Sequence, residues 1–261
     1  MSNTTIVGLA VLALLFALEG ALPFYRNNGN RYSHALRNGV LALLAGAFGA
    51  LMAPLLLLST QLASDQGIGL VIWLDLHPVA RALVSFVLFD LWMYSWHRAN
   101  HEFPFLWRFH RVHHTDPTMD STTALRFHPV EILFSTLLHC VVVVALGMSL
   151  AALVFYNTVM ISVILFHHSN VRVPDALDRA IRLIVVPPSM HRVHHSQLRV
   201  ETDSNYGTVF SFWDRLFGSF RTRDRYEDIH FGIGAYGAPR WQRPMRLLLL
   251  PLRPLDQGAS N

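Results

Sequence analysis

The sequence predicts an all-α fold: a polytopic membrane helical bundle with a histidine-rich helical cap on its cytoplasmic side. The 261 residues are 52% hydrophobic and 15% charged, with a mean hydropathy of +0.33, a composition suited to lipid rather than water. Several charge-free runs are long enough to cross a bilayer. Twelve of the fifteen histidines fall between Trp96 and Ser196, and eight of these stand in three groups at helix-turn spacing.

Taken in order, Ile6 to Leu18 is apolar and continues past Glu19 to Phe24. Its leading segment lacks the positive charge of a signal peptide, and no small-residue cleavage site follows, so it reads as a retained anchor. Val40 to Leu58 is a second span, and Pro78 to Trp96 a third that carries Arg81 and Asp90. Ile132 to Phe166 runs thirty-five residues without Asp, Glu, Lys or Arg, too long for one helix, and Gly147 falls where a turn would fold it into a hairpin. The single cysteine, Cys140, lies in that run and forms no intrachain disulfide.

The chain contains no lysine; its net charge of +4 is carried by arginine. Arg26, Arg31 and Arg37 follow the first span, Arg98, Arg108, Arg111 and Arg126 follow the third, and Ser59 to Ala80 holds no basic residue. The positive-inside tendency therefore puts the arginine-rich segments, all three histidine groups and the C-terminus on the cytoplasmic side, which is an inner membrane if the source is bacterial. The arginines suit anionic lipid headgroups, and no nucleic-acid-binding motif appears. The domain reading is 1–78 for the N-terminal membrane helices and outer loop, 79–221 for the catalytic part, and 222–261 for an arginine-rich cytoplasmic tail. The apolar stretch Leu247 to Leu252 is expected to lie in the membrane interface.

The three groups are His97/His101, His110/His113/His114 and His191/His194/His195. Residues three and four apart share a helix face, so each group is expected to aim its imidazoles at a common point. Imidazole binds iron, zinc, copper and nickel, and eight ligands exceed the needs of one ion, which points to two metals. Two copies of His-Arg-Val-His-His, at 110–114 and 191–195, strengthen the reading. One of His167 and His168 is expected to complete a coordination sphere, with His168 the choice; His167 and His128 are further candidates. His139 and His77 read as ordinary structural histidines, and His34 and His230 are left out of the site. Asp90, seven residues before His97, is expected either to brace a ligating histidine or to pair with an arginine, and Asp203 and Asn205 either to brace a histidine or to lie in a surface loop. Pro187-Pro188-Ser189 reads as a helix start with serine as N-cap.

These boxes, together with Ala124-Leu125-Arg126-Phe127-His128-Pro129, Glu201-Thr202-Asp203-Ser204-Asn205-Tyr206-Gly207 and Phe212-Trp213-Asp214-Arg215-Leu216-Phe217-Gly218, resemble the fatty acid hydroxylase/sterol desaturase superfamily from about Asp90 to Arg221. The resemblance implies a non-heme di-iron, oxygen-dependent membrane oxidase that hydroxylates or desaturates a lipid such as a sterol or fatty acyl chain. It implies two iron ions held by the eight box histidines, with zinc a possible replacement, and dioxygen as co-substrate. His168 corresponds to the family's additional histidine after the hairpin; some relatives carry another four positions earlier, where this chain has Ile164. No fused cytochrome b5 module is visible, so reducing equivalents are expected from a separate electron-donor protein. The alternatives are a zinc hydrolase, disfavoured because no box contains the HExxH glutamate, and a metal transporter, disfavoured because the histidines sit at a membrane rim rather than the midplane.

Overall fold

The computed structural model describes residues 3–26 and 29–255, so the end of the stretch from 222 to 261 that the sequence marks as a tail lies outside the described residues. Among the described residues the regular structure is helical, with isolated β-bridges and no strand. Five helices are long and apolar enough to cross a membrane: α1 (Asn3–Ala21), α2 (Arg31–Gln66), α4 (Pro78–Glu102), α6 (Pro129–Leu146) and α7 (Leu150–His168). The chain is an integral, multi-pass membrane protein. The short α3 (Leu70–Trp73) links α2 to α4, and the cap contains α5 (Pro104–His114), α8 (Asp175–Ile181) and α9 (Pro188–His194).

Local chemistry sets the helix ends. Asn30 caps α2 by accepting from the amides of Tyr32 and Ser33, and Gly67 ends it at φ 62°. Proline occupies the first helical position of α4, α5, α6 and α9, where its missing N–H costs nothing and its fixed φ favours a helix. Gly147 closes α6 in the left-handed region at φ 71°, and Ser149 caps α7 by accepting from the Ala152 amide. The hairpin is therefore divided at the expected glycine. It reaches the far end of the bundle, where a Cβ on Gly69 would stand 2.1 Å from the Gly147 amide nitrogen.

Two expectations are corrected here. Ser189 is not the N-cap of α9: Pro187 holds that position, the helix starts at Pro188, and the Ser189 hydroxyl donates to Asp178 Oδ2 at 2.7 Å. The stretch at Leu247 is not simply interfacial, because Leu247 and Leu250 pack with Leu41 and Val112 in a buried cluster, leaving Leu249 and Leu252 exposed.

The helix α2 is longer than its apolar run. Thirty-six residues make a rod of about 54 Å, well beyond a hydrocarbon core of roughly 30 Å, and its first turns carry buried polar groups. His34 binds Asp120 through Nδ1 at 2.7 Å and Asp116 through Nε2 at 2.9 Å. Arg126 donates to Asn38 Oδ1, Thr115 Oγ1 and Gln242 Oε1. Between them these side chains join α2, the end of α5 and the tail, and so hold the cap against the bundle.

Candidate metal centre

The last turns of α4 and α7, together with α5 and α9, meet at one end of the bundle. Their histidines form two adjoining groups. His97, His101, His110, His114 and His194 each offer a nitrogen within 4.8 Å of the others, and His113, His168, His191 and His195 do the same. All nine predicted ligands are thus brought together, but not box by box. Positions four apart stay together, as in His110/His114 and His191/His195, while the one between, His113 or His194, turns to the neighbouring group. On a helix, residues three and four along from the same start point about 100° apart, so one box feeds two centres. The two groups touch where the rings of His114 and His195 stack at 4.4 Å.

The remaining residues of the repeated box hold the cap. Val112 and Val193 are fully buried core residues. Arg111 donates to the carbonyls of Leu250, Arg253 and Pro254, and Arg192 to those of Ser169 and Val171. Each box therefore sends histidines inward and an arginine back to clamp another stretch of chain.

Four of the nine rings have an outward nitrogen held by an oxygen acceptor. Nδ1 of His97 is 2.9 Å from the Tyr206 carbonyl, that of His168 2.7 Å from Ile164, and that of His194 2.7 Å from Ser204. A carbonyl only accepts, so each Nδ1 carries the proton and Nε2 keeps its lone pair for a ligand. His110 Nδ1 is held at 2.8 Å by Glu131 Oε1. Burial and crowding depress the affinity of His113, His114, His191 and His195 for protons, and hold His194 at about 3. These rings are neutral near pH 7.

Two observations test whether a metal ion fits. Nε2 of His101, His110, His114 and His194 is buried without a protein partner, an arrangement that costs free energy unless something satisfies it. In the second group Nε2 of His168 lies 3.0 Å from that of His113 and 2.9 Å from that of His191, and His191 lies 3.2 Å from His195. Lone pairs repel at that distance, whereas ligands at right angles on an ion with bonds of about 2.1 Å stand about 3 Å apart. The donor set fits one metal ion in each group.

The other candidates behave differently. His167 is buried and stacks on His191 at 3.8 Å but belongs to neither group. His128 caps α6, accepting from the Val130 amide through Nδ1 while Nε2 lies 3.1 Å from the Leu248 carbonyl. Asp90 touches no histidine; it accepts from Tyr156, the amides of Val209 and Phe210, and Trp213 Nε1. Asn205 ties Met190 to Arg221 through its side chain. Asp203 Oδ1 comes within 3.5 Å of His101 Nδ1, too long for a hydrogen bond. His139 lies between Phe89 and Trp92, away from both groups.

Two acids went unrecognised in the sequence. Glu131 braces His110, standing one residue before the charge-free run that marked the hairpin. Asp214 accepts from the amides of Tyr206 and Gly207; burial pushes it up to about 6. It thereby holds the loop whose Tyr206 carbonyl orients His97.

A cavity of about 100 Å³ lies against the histidines on the bundle side, with Met93, Trp96, Phe127 and Ile164 supplying apolar wall.

The fatty acid hydroxylase family model matches residues 82–219, more than half of the chain. The chain belongs to this family. Among curated proteins it is 32% identical to an ornithine lipid hydroxylase of Rhizobium tropici, over 62% of this chain and 48% of that protein. It is also 32% identical to an alkylglycerol monooxygenase of Caenorhabditis elegans, over 53% and 26%, and 29% identical to a human lathosterol oxidase, over 56% and 47%. The chain thus spans about half or less of the length of these relatives. No solved structure matches. As a fatty acid hydroxylase family member, the chain presents its matched segment as the part that carries all nine clustered histidines.

Proposed function

We propose that this chain is an oxygen-dependent lipid hydroxylase with an iron ion in each histidine group. The carrying observation is the pair of buried, adjoining nitrogen clusters at the end of an apolar cavity. Iron bound there supplies the activation of dioxygen and the removal of hydrogen from an unactivated C–H bond. The protein's own residues do the rest. Carbonyls of Tyr206, Ile164 and Ser204, and the Glu131 carboxylate, fix ring tautomers so that ligand lone pairs converge. Met93, Trp96, Phe127 and Ile164 give an alkyl chain an apolar wall and keep water from the reacting carbon. Glu131 supplies a carboxylate that the boxes lack, so the oxidase reading over a hydrolase rests on family membership and on the names of the relatives.

Hydroxylation is favoured over desaturation because it requires one C–H bond near the oxidant rather than two adjacent ones. Reducing equivalents come from a separate electron-donor protein, and the histidine groups face the cytoplasm, on the arginine-rich side. The test supplies labelled dioxygen and a redox partner to membranes containing the protein. One labelled oxygen atom in a lipid product, lost in His110→Ala, is the expected result. A new double bond without label would replace hydroxylase by desaturase, and turnover without oxygen would overturn the oxidase.

A further inference from the structure

Glu131 opens the α6 span and is 5% exposed. One carboxylate oxygen, Oε1, is taken by His110 Nδ1. The other, Oε2, is buried and meets no protein donor. This same side chain lines the cavity beside the histidines, in a wall otherwise made largely of apolar and imidazole groups. Ser135, one turn further along α6, also lines the cavity, and its hydroxyl accepts from Trp96 Nε1 at 2.9 Å. A buried carboxylate oxygen without a donor is unfavourable, and a hydrogen bond to it is worth more than one between neutral groups.

We infer that Glu131 Oε2 is the anchor for a hydrogen-bond donor on the substrate, so that the lipid oxidised carries an O–H or N–H group close to the reacting carbon; this rests on the oxidase reading above. Such a donor sits one side chain away from His110, a member of the first histidine group. The anchor discriminates against a bare hydrocarbon segment, and against an ester or ether oxygen, which only accepts. Glu131 also positions His110, and the two roles separate in variants. In Glu131→Gln the amide oxygen still accepts from His110 Nδ1, while the NH₂ group replaces Oε2 and turns an acceptor into a donor. In Glu131→Ala both are lost.

The experiment measures binding of four probes to purified, metal-loaded protein in detergent, read as the shift in unfolding temperature with probe concentration. The probes are hexadecan-1-ol and its methyl ether, and N-hexadecylacetamide and its N-methyl derivative. Metal content is measured on the same samples. Wild type is expected to bind at least one donor probe about tenfold more tightly than its methylated counterpart, a factor equal to about 1.4 kcal/mol. Whichever pair shows the preference identifies the donor as hydroxyl or amide. Glu131→Gln is expected to erase the preference while keeping its metal, and Glu131→Ala to erase it and lower metal content. Equal binding within both pairs by wild type, or a preference that survives Glu131→Gln, would overturn the inference. The oxidase reading is judged separately by labelled oxygen: incorporation without a donor preference removes this role of Glu131 alone, and a donor preference without incorporation removes the oxidase alone.

Discussion

Asp90 shows how a single residue can be flagged for good reason and given the wrong partner. Two helical turns before His97, an acid inside a span was expected to brace a ligand; instead its two oxygens gather four donors from α7 and the segment at Val209–Trp213. Asp90→Asn would put an NH₂ group against two of those donors, so we expect a loss of about 2–4 kcal/mol, read as a fall in thermal unfolding temperature. Protein that does fold should keep its full metal content; selective metal loss at unchanged stability would return Asp90 to the metal site. The nine clustered histidines were legible because their spacing and residue type both point to metals. The oxygens that orient them were not, since three are backbone carbonyls contributed by Ile164, Ser204 and Tyr206, which no side-chain pattern reveals. Glu131 leaves only a faint signal, an acid standing one residue before a long apolar run, where it reads as the ordinary polar flank of a membrane span.

At the level of elements, the repeated His-Arg-Val-His-His boxes were read as helical and are helical, but each was expected to serve one point. Helix geometry divides them between two centres, and that division depends on how α5 and α9 face each other, which spacing within one box does not encode. The hairpin turn at Gly147 was readable from glycine's position alone. Its partner Gly69 was not, because the close approach joins residues far apart in sequence. A Cβ on Gly69 would lie 2.3 Å from Gly147 Cα and 2.7 Å from the Val144 carbonyl, on a backbone at φ 125° that side chains seldom adopt. We therefore expect Gly69→Ala to cost about 3 kcal/mol or more. Gly46→Ala, on α2 with nothing within 4 Å of its Cβ, should leave the unfolding temperature nearly unchanged. Equal stability of the two variants would contradict the packing of the hairpin turn against the α2–α4 connection.

For the whole molecule, apolar run lengths mark the spans well, while the polar start of α2 and the return of the tail leave no local signal. Both depend on tertiary burial of groups that look solvent-exposed in sequence, such as His34 with Asp116 and Asp120, or Leu247 against Leu41. The orientation follows from arginine placement and has a direct check. With Cys140 replaced by serine, a cysteine at the exposed Asp65 should react with an impermeant thiol reagent in intact cells, and one at the exposed Arg225 should not; the reverse would invert the protein in the membrane. The central claim is that eight histidines from four helices, with His195 at the C-cap of α9, hold two metal ions side by side. It is tested most directly by counting metal ions per chain in purified wild type, His194→Ala and His195→Ala, one substitution from each group. About two ions in wild type and a loss from each variant, with His139→Ala unaffected, is the predicted result. Wild type with no stoichiometric metal, or equal loss in His139→Ala, would contradict it.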